Sequence, residues 1–316
     1  NPDGSTRTLN MRIETVPTVF GQDAVIRLFN FDPKLLNLQN LGLDEEQQKS
    51  INEIIGHPHG MVMVVGPTGS GKSTTLYSII NALNDPSRKI LTLEDPVELT
   101  VPGVSQIPVN TQDGDSFAEK LRAVLRLDPD IVMVGEIRDN DTARTAIQAA
   151  ITGHLVLSTF HASTASAAFS RIVDMIGQNP IFASAIRLVI GQRLVRRLDE
   201  KTRVAYQPDE ATKKYLNQVL ADLPSHIKKP DVETLTLYKP GSSAEVPFGY
   251  KGRVVVMEQM IVGNEVSAFL RGDVAKANAE EIEAAAKKQG MVTMLQDGIL
   301  KACAGITTLE EINRVI

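Results

Sequence analysis

Two hydrophobic rhythms organise this chain. Four short apolar runs, Met61–Val65, Ile90–Leu93, Ile131–Val134 and Leu155–Leu157, do not alternate with polar residues. Each reads as a strand buried on both faces, the mark of a parallel sheet covered by helices. The stretches between them carry helix-compatible spacing. Asp44-Glu45-Glu46-Gln47 opens one helix reaching Ile55, with acids in its first turn where the helix dipole favours them. Ser116 and Glu119 have capping-box spacing at the start of another, and Asp128-Pro129 stops it. Strands alternating with helices predict an α/β layered core.

The flanks differ from this centre. Leu9–Glu14 and Asp23–Phe29 are strand-like, joined through Pro17 and Gly21, and read as a fragment of a β-rich domain. Residues 199–250 are polar and broken by Pro208, Pro224, Pro230, Pro240 and Pro247, as in an inserted, loop-rich lobe. Gly252–Met257 recovers strand character. The remainder is helical, with capping-box spacing at Asn278–Glu281 and Thr307–Glu310 and stop signals at Gly290 and Gly305. The expected division is residues 1–40 as an N-terminal remnant with linker, 41–260 as the core, and 261–316 as a C-terminal helical subdomain.

Composition narrows the classes. Apolar residues at 42% and charged residues at 22% exclude a disordered chain. A net charge of −5 provides no global field for nucleic acid. No apolar run approaches the roughly 18 residues of a membrane span. The single cysteine, Cys303, excludes an intramolecular disulfide and any CxxC zinc site, and fits a reducing compartment. The opening at Asn1 suggests that upstream sequence is missing.

Polar residues collect just after the four apolar runs, at Gly66–Ser73, Glu94-Asp95, Gly135-Glu136 and Ser158–His161. Ligands of open α/β sheets bind outside the carboxyl ends of the strands, so these clusters are expected to meet. Gly66-Pro67-Thr68-Gly69-Ser70-Gly71-Lys72-Ser73 satisfies G-x-x-x-x-G-K-[ST], and Thr74 follows it. Glycines let backbone N–H groups turn inward as an anion nest, and the next helix adds its positive end. Lys72 would reach the β- and γ-phosphates, and the Ser73 hydroxyl would hold Mg²⁺. Glu136 ends an apolar strand and can hold the Mg²⁺ shell or polarise a water. Of Glu94 and Asp95, one acid can accept a proton while the other serves the metal. His154 and His161 flank a strand, where a histidine is commonly structural. No N-K-x-D stretch selects guanine, so the expected nucleotide is ATP.

Four stretches in order resemble the secretion-ATPase superfamily, in particular its type II secretion and type IV pilus assembly branch. They are Gly66–Ser73, Leu91–Glu98, Leu125–Asp139 and Thr152–Ala162, similar to that family's Walker A, Asp box, Walker B and His box. The resemblance runs from about residue 7 to the C-terminus. It implies a RecA-like P-loop ATPase core with a small N-terminal β-rich remnant and a C-terminal helical subdomain. It implies Glu94 as general base, Asp95 and Glu98 as support, and Glu136 as the Walker-B acid. His161 would sense the γ-phosphate, with His154 structural or supporting. Arg12 and Arg27 match two arginines that reach the phosphates from the preceding domain. The resemblance further implies ATP and Mg²⁺, a homohexamer, an inner-membrane platform protein as partner, a cytoplasmic place at the inner membrane face, and no nucleic acid. The chain departs from the family in lacking two CxxC pairs in the lobe at 199–250, so no zinc is expected there and that lobe must be held otherwise. Its tail, Gly290–Gly298 through Gly305–Glu311, resembles the assembly and secretion branch more than the retraction motors.

Overall fold

The computed structural model describes residues 10–29, 36–274 and 278–316, without the side chains of Asn10, Arg12, Arg27, Leu28 and Phe29. The chain opens with an antiparallel hairpin, β1 (Asn10–Thr18) and β2 (Gly21–Phe29). Pro17 lies within β1, so the turn is Val19-Phe20, tighter than the expected connection through Pro17. Helix α1 (Glu45–Ile55) starts at Asp44, whose side chain accepts from the Gln47 N–H while Gln47 returns the bond to the Asp44 N–H. That reciprocal cap satisfies two orphan donors and fixes the start to the residue.

The core alternates as the sequence patterning requires: β3 (Gly60–Val65), α2 (Lys72–Leu83), β4 (Ile90–Glu94), β5 (Ser105–Pro108), α3 (Phe117–Leu125), β6 (Ile131–Val134), α4 (Asn140–Ile151), β7 (Leu155–Phe160), α5 (Ala165–Ile176) and β8 (Ile186–Leu198). Among the described residues it forms one seven-stranded sheet of order β11-β8-β3-β7-β6-β4-β5, parallel except for β11 (Tyr250–Ile261), which runs antiparallel to β8. Along β3, Met61, Met63 and Val65 face the helices α3, α4 and α5, while Val62 and Val64 face α1 and α2. Both faces are therefore buried, which is why β3 reads as an unbroken apolar run.

Between β8 and β11 lie β9 (Val204–Tyr206), α6 (Glu210–Val219) and β10 (Leu237–Lys239), and after them α7 (Asn264–Arg271), α8 (Ala279–Lys288), α9 (Met294–Cys303) and α10 (Leu309–Val315). The 199–250 lobe is held by an apolar core. Leu216, Leu220, Val232 and Leu237 pack with Met294, Ile299 and Ile312 of the C-terminal helices and with Val195 and Val256 of the sheet. Each buried aliphatic side chain contributes about 2 kcal/mol. Several together match the order of a structural zinc, roughly 10 kcal/mol or more. The last helix begins one residue later than the capping-box spacing indicates. Thr308 is its cap, accepting from Glu311 N, while Thr307 donates to the Arg196 carbonyl instead. A buried Asp297–Lys301 pair, 2.7 Å apart, also accepts from the Gln47 side chain and joins α1 to the C-terminal helices.

Candidate active site

The loop between β3 and α2 is set by its sequence. Gly66, Gly69 and Gly71 all have positive φ, where a Cβ is strained. The Thr75 N–H bonds back to the Gly71 carbonyl, so α2 starts immediately after the last glycine. Its first turn therefore presents free N–H groups toward the loop, the arrangement that binds phosphate. Lys72 folds over the loop, its ammonium donating to the carbonyls of Gly66 at 2.9 Å and Pro67 at 3.0 Å. Burial lowers the Lys72 pKa, the Glu136 carboxylate opposes that shift, and Arg193 adds to it. Ser73 is exposed beside it.

A cleft of about 870 Å³ runs along this loop, within the usual range for a small-molecule site. Thr68, Gly69, Gly71, Lys72, Ser73 and Thr74 line one wall; Glu94, Asp95, Glu98, Glu136 and His161 come from the neighbouring strand ends. Ser70 is buried, and Gly66 and Pro67 meet Lys72 through their carbonyls; these three are not among the residues lining the cleft. His154 does not join them. It precedes β7 at the opposite end from His161, roughly 20 Å along the strand, and its ring nitrogen contacts the Ala149 carbonyl. The side chains of Arg12 and Arg27 lie outside the described residues; their backbones are direct cross-strand partners in the hairpin.

Glu94 is 4% exposed and held by three donors. Tyr77 donates its hydroxyl to Oε2. Thr92 and Gln106 donate to Oε1, at 2.5 and 3.0 Å. Asp95 accepts from Thr111. The close approach of the chain after β6 to the end of β4 depends on Gly135. Its N–H donates to the Leu93 carbonyl, and a Cβ there would fall 2.9 Å from that oxygen and 3.4 Å from the Glu94 Cα. From the other side Thr159 donates to the Gly135 carbonyl at 2.6 Å, and Ser158 to the Val134 carbonyl at 2.8 Å. Ser158 and Thr159 are thus the buried end of β7, and the expected polar cluster there begins in effect at His161.

Glu136 has two different oxygens. Oε1 accepts from Arg138. Oε2 is buried, accepts no hydrogen bond among the described residues, and lies 3.5 Å from His161 Nε2. A carboxylate on the cleft wall with one oxygen left without a hydrogen bond fits the outer shell of a hard cation. Together with the Ser73 hydroxyl it suits Mg²⁺, which keeps most of its waters and phosphate ligands and needs few protein ones. No cluster of three or more His, Cys, Asp or Glu suited to a metal occurs among the described residues.

Two site residues carry no local sequence signal. Gln192, fully buried on β8, accepts from Thr75 of α2 at 2.9 Å and donates to the Ser70 carbonyl at 2.8 Å. It holds the phosphate loop from a strand more than a hundred residues away. Arg193 donates to the Ser163 carbonyl at 2.8 Å, beside the His161 loop.

A glycine-rich phosphate loop at the carboxyl end of a mainly parallel sheet, with acids delivered by neighbouring strands, defines a RecA-like P-loop NTPase core. The chain belongs to the type II/IV secretion system protein family, whose model matches residues 4–314. It is 41% identical over 311 residues to a type II secretion system protein E of Xanthomonas campestris pv. campestris, covering 98% of this chain and 53% of that protein. It is 40% identical over 306 residues to a type IV pilus assembly ATPase PilB of Thermus thermophilus, covering 96% of this chain and 33% of the relative. The chain thus spans about half the length of these curated relatives, or less. The structure is similar to the pilus retraction motor PilT with bound ADP, at a TM-score of 0.65 and 27% identity, covering 96% and 73% of the two chains.

Proposed function

We propose that this chain is the motor portion of an ATP hydrolase that works as a homohexamer and powers type IV pilus assembly. The observation that carries the reading is the convergence of Lys72, Glu94, Glu136 and His161 on one cleft. The same relatives favour a type II secretion pseudopilus as the second reading, since proteins of both names match at 41% and 40% identity. A DNA-translocating motor is disfavoured by the net charge of −5, and a nucleotide-gated scaffold by the full set of acids.

In this mechanism the loop amides and Lys72 bind the triphosphate and neutralise its charge. The Ser73 hydroxyl and the Glu136 carboxylate would hold Mg²⁺, which would supply further charge neutralisation at the phosphates. Glu94 orients a water in line with the terminal phosphorus and accepts its proton as the P–O bond to the ADP leaving group breaks. His161, beside Glu136, reports whether the terminal phosphate is present. Arg12 and Arg27, paired across the hairpin backbone, stabilise phosphate charge when the N-terminal part closes on the core. Closure is passed to a membrane platform protein at the cytoplasmic face. Hydrolysis yields force only because bound and released states favour different arrangements. The bound ADP of the PilT relative supports the nucleotide assignment.

Phosphate release from the full chain with Mg·ATP tests this directly. Steady turnover that Lys72→Ala abolishes supports it. Tight nucleotide binding with no release in any assembled form would leave the scaffold reading instead.

A further inference from the structure

Glu258 sits on β11, the strand at one end of the sheet, 4% exposed, and its carboxylate has an uncommon pair of partners. Oε1 accepts from the N–H of Ala165, the first residue of α5, at 2.6 Å. Oε2 accepts from the N–H of Met294, the first residue of α9, at 3.2 Å. One side chain therefore caps two helices that belong to different parts of the chain. Burial raises the Glu258 pKa, and the two N–H groups together with Arg193 oppose that shift.

Arg193 is the counterpart. In the β11–β8 register Glu258 pairs with Gly191 and Val256 with Arg193, so Arg193 and Glu258 stand on the same face of adjacent strands. Gly191 has to lack a side chain: a Cβ there would fall 2.6 Å from Glu258 Oε1. Arg193 donates to the Ser163 carbonyl while Glu258 accepts from the Ala165 N–H. Opposite charges thus hold the backbone on either side of Thr164. That segment is the far end of the short loop that begins at His161, and its near end is β7.

A buried carboxylate held by two backbone N–H groups is costly unless those hydrogen bonds are good, and an apolar replacement is often no less stable. Positioning explains what stability alone does not. We infer that Glu258, with Arg193, is a positioning residue for His161 and ties its loop to the C-terminal helices through α9. A displacement of α9 relative to the sheet is then felt at the γ-phosphate end of the cleft through one side chain. The inference rests on the role given to His161 above.

The test is a double-mutant cycle in the full chain with Glu258→Gln and His161→Ala, reading kcat, KM for ATP, and affinity for a fluorescent ATP analogue. Glutamine keeps the shape but presents a donor to one of the two N–H groups. Glu258→Gln should lower kcat roughly ten- to hundredfold, the scale of a misplaced catalytic group. Nucleotide affinity should stay within about twofold, since the phosphate loop is untouched. In the His161→Ala background the same substitution should add less than about a twofold loss. Arg193→Lys, which keeps the charge but loses the planar fork, should likewise lower kcat and be non-additive with His161→Ala, and decides the matter if Glu258→Gln does not fold. Full additivity with His161→Ala, or wild-type kcat in these variants, overturns the inference. If His161→Ala alone turns over at the wild-type rate, the assignment of His161 falls first and this inference falls with it.

Discussion

Tyr77 donates its hydroxyl to Glu94 Oε2, and the same phenol oxygen lies 3.4 Å from the Leu99 N–H. The phenol is therefore oriented from both sides, and burial followed by the Glu94 charge raises its pKa so that it stays protonated. A carboxylate has about four acceptor positions. Two on Oε1 are taken by Thr92 and Gln106 and one on Oε2 by Tyr77, leaving one Oε2 lone pair for a water. Tyr77→Phe keeps the ring and removes the donor. That donor fixes the direction of the remaining Oε2 lone pair, so its loss should lower kcat about ten- to hundredfold with nucleotide affinity unchanged. A wild-type kcat would separate Tyr77 from the base.

Gln192 bridges Ser70 and Thr75 across the phosphate loop. Gln192→Ala leaves the Ser70 carbonyl and the Thr75 hydroxyl without these partners, at a cost of about 1–3 kcal/mol. The loop pays most of this as lost order, so affinity for ATP and for ADP should both fall about tenfold or more, with a smaller change in kcat. Equal affinity by equilibrium fluorescence would show that the loop holds its shape unaided.

Local chemistry made much of this readable. The phosphate loop, the Asp44 cap and the unbroken runs of β3 and β6 are decided by neighbours in sequence, and the structure follows them. What escaped is non-local. Strand β8 runs from buried Ile186 into polar Gln192 and Arg193, and only contacts with α2, Ser163 and β11 give those residues meaning. Strand β5, Ser105–Pro108, is too short to show a period and exists because β4 pairs with it. The Thr307–Thr308 offset arises because two threonines compete for one cap and Thr307 is engaged by the Arg196 carbonyl. Ser158 and Thr159 look like loop residues in composition, yet their hydroxyls satisfy β6 carbonyls inside the sheet.

Glu311 joins the last helix to β8. Burial works to raise its pKa, but donors from Arg196 and Arg314 outweigh that and hold it at about 2, against an ordinary 4.5. Its contribution is present above pH 4.5 and is lost as pH falls through about 2. Urea midpoints measured from pH 5 to pH 3 should fall more steeply for the wild type than for Glu311→Gln. Parallel slopes would mean that the pair contributes nothing.

The apolar core of the 199–250 lobe predicts its own weak point. Leu216 of α6 is fully buried in the cluster shared with α9 and α10. Leu216→Ala should cost about 2–5 kcal/mol, read as a lowered melting temperature. A chelator such as EDTA, without nucleotide, should leave that temperature unchanged. A loss of less than about 0.5 kcal/mol would place the lobe's stability elsewhere.

In the proposed mechanism, acids from two neighbouring strands act on one bound triphosphate. The most direct test is single-turnover phosphate release by Glu94→Gln and Glu136→Gln beside their nucleotide affinities. Each variant should bind ATP within about threefold of the wild type and release phosphate at least about a hundredfold more slowly. Wild-type release by Glu94→Gln would contradict the assignment of the base and the mechanism built on it.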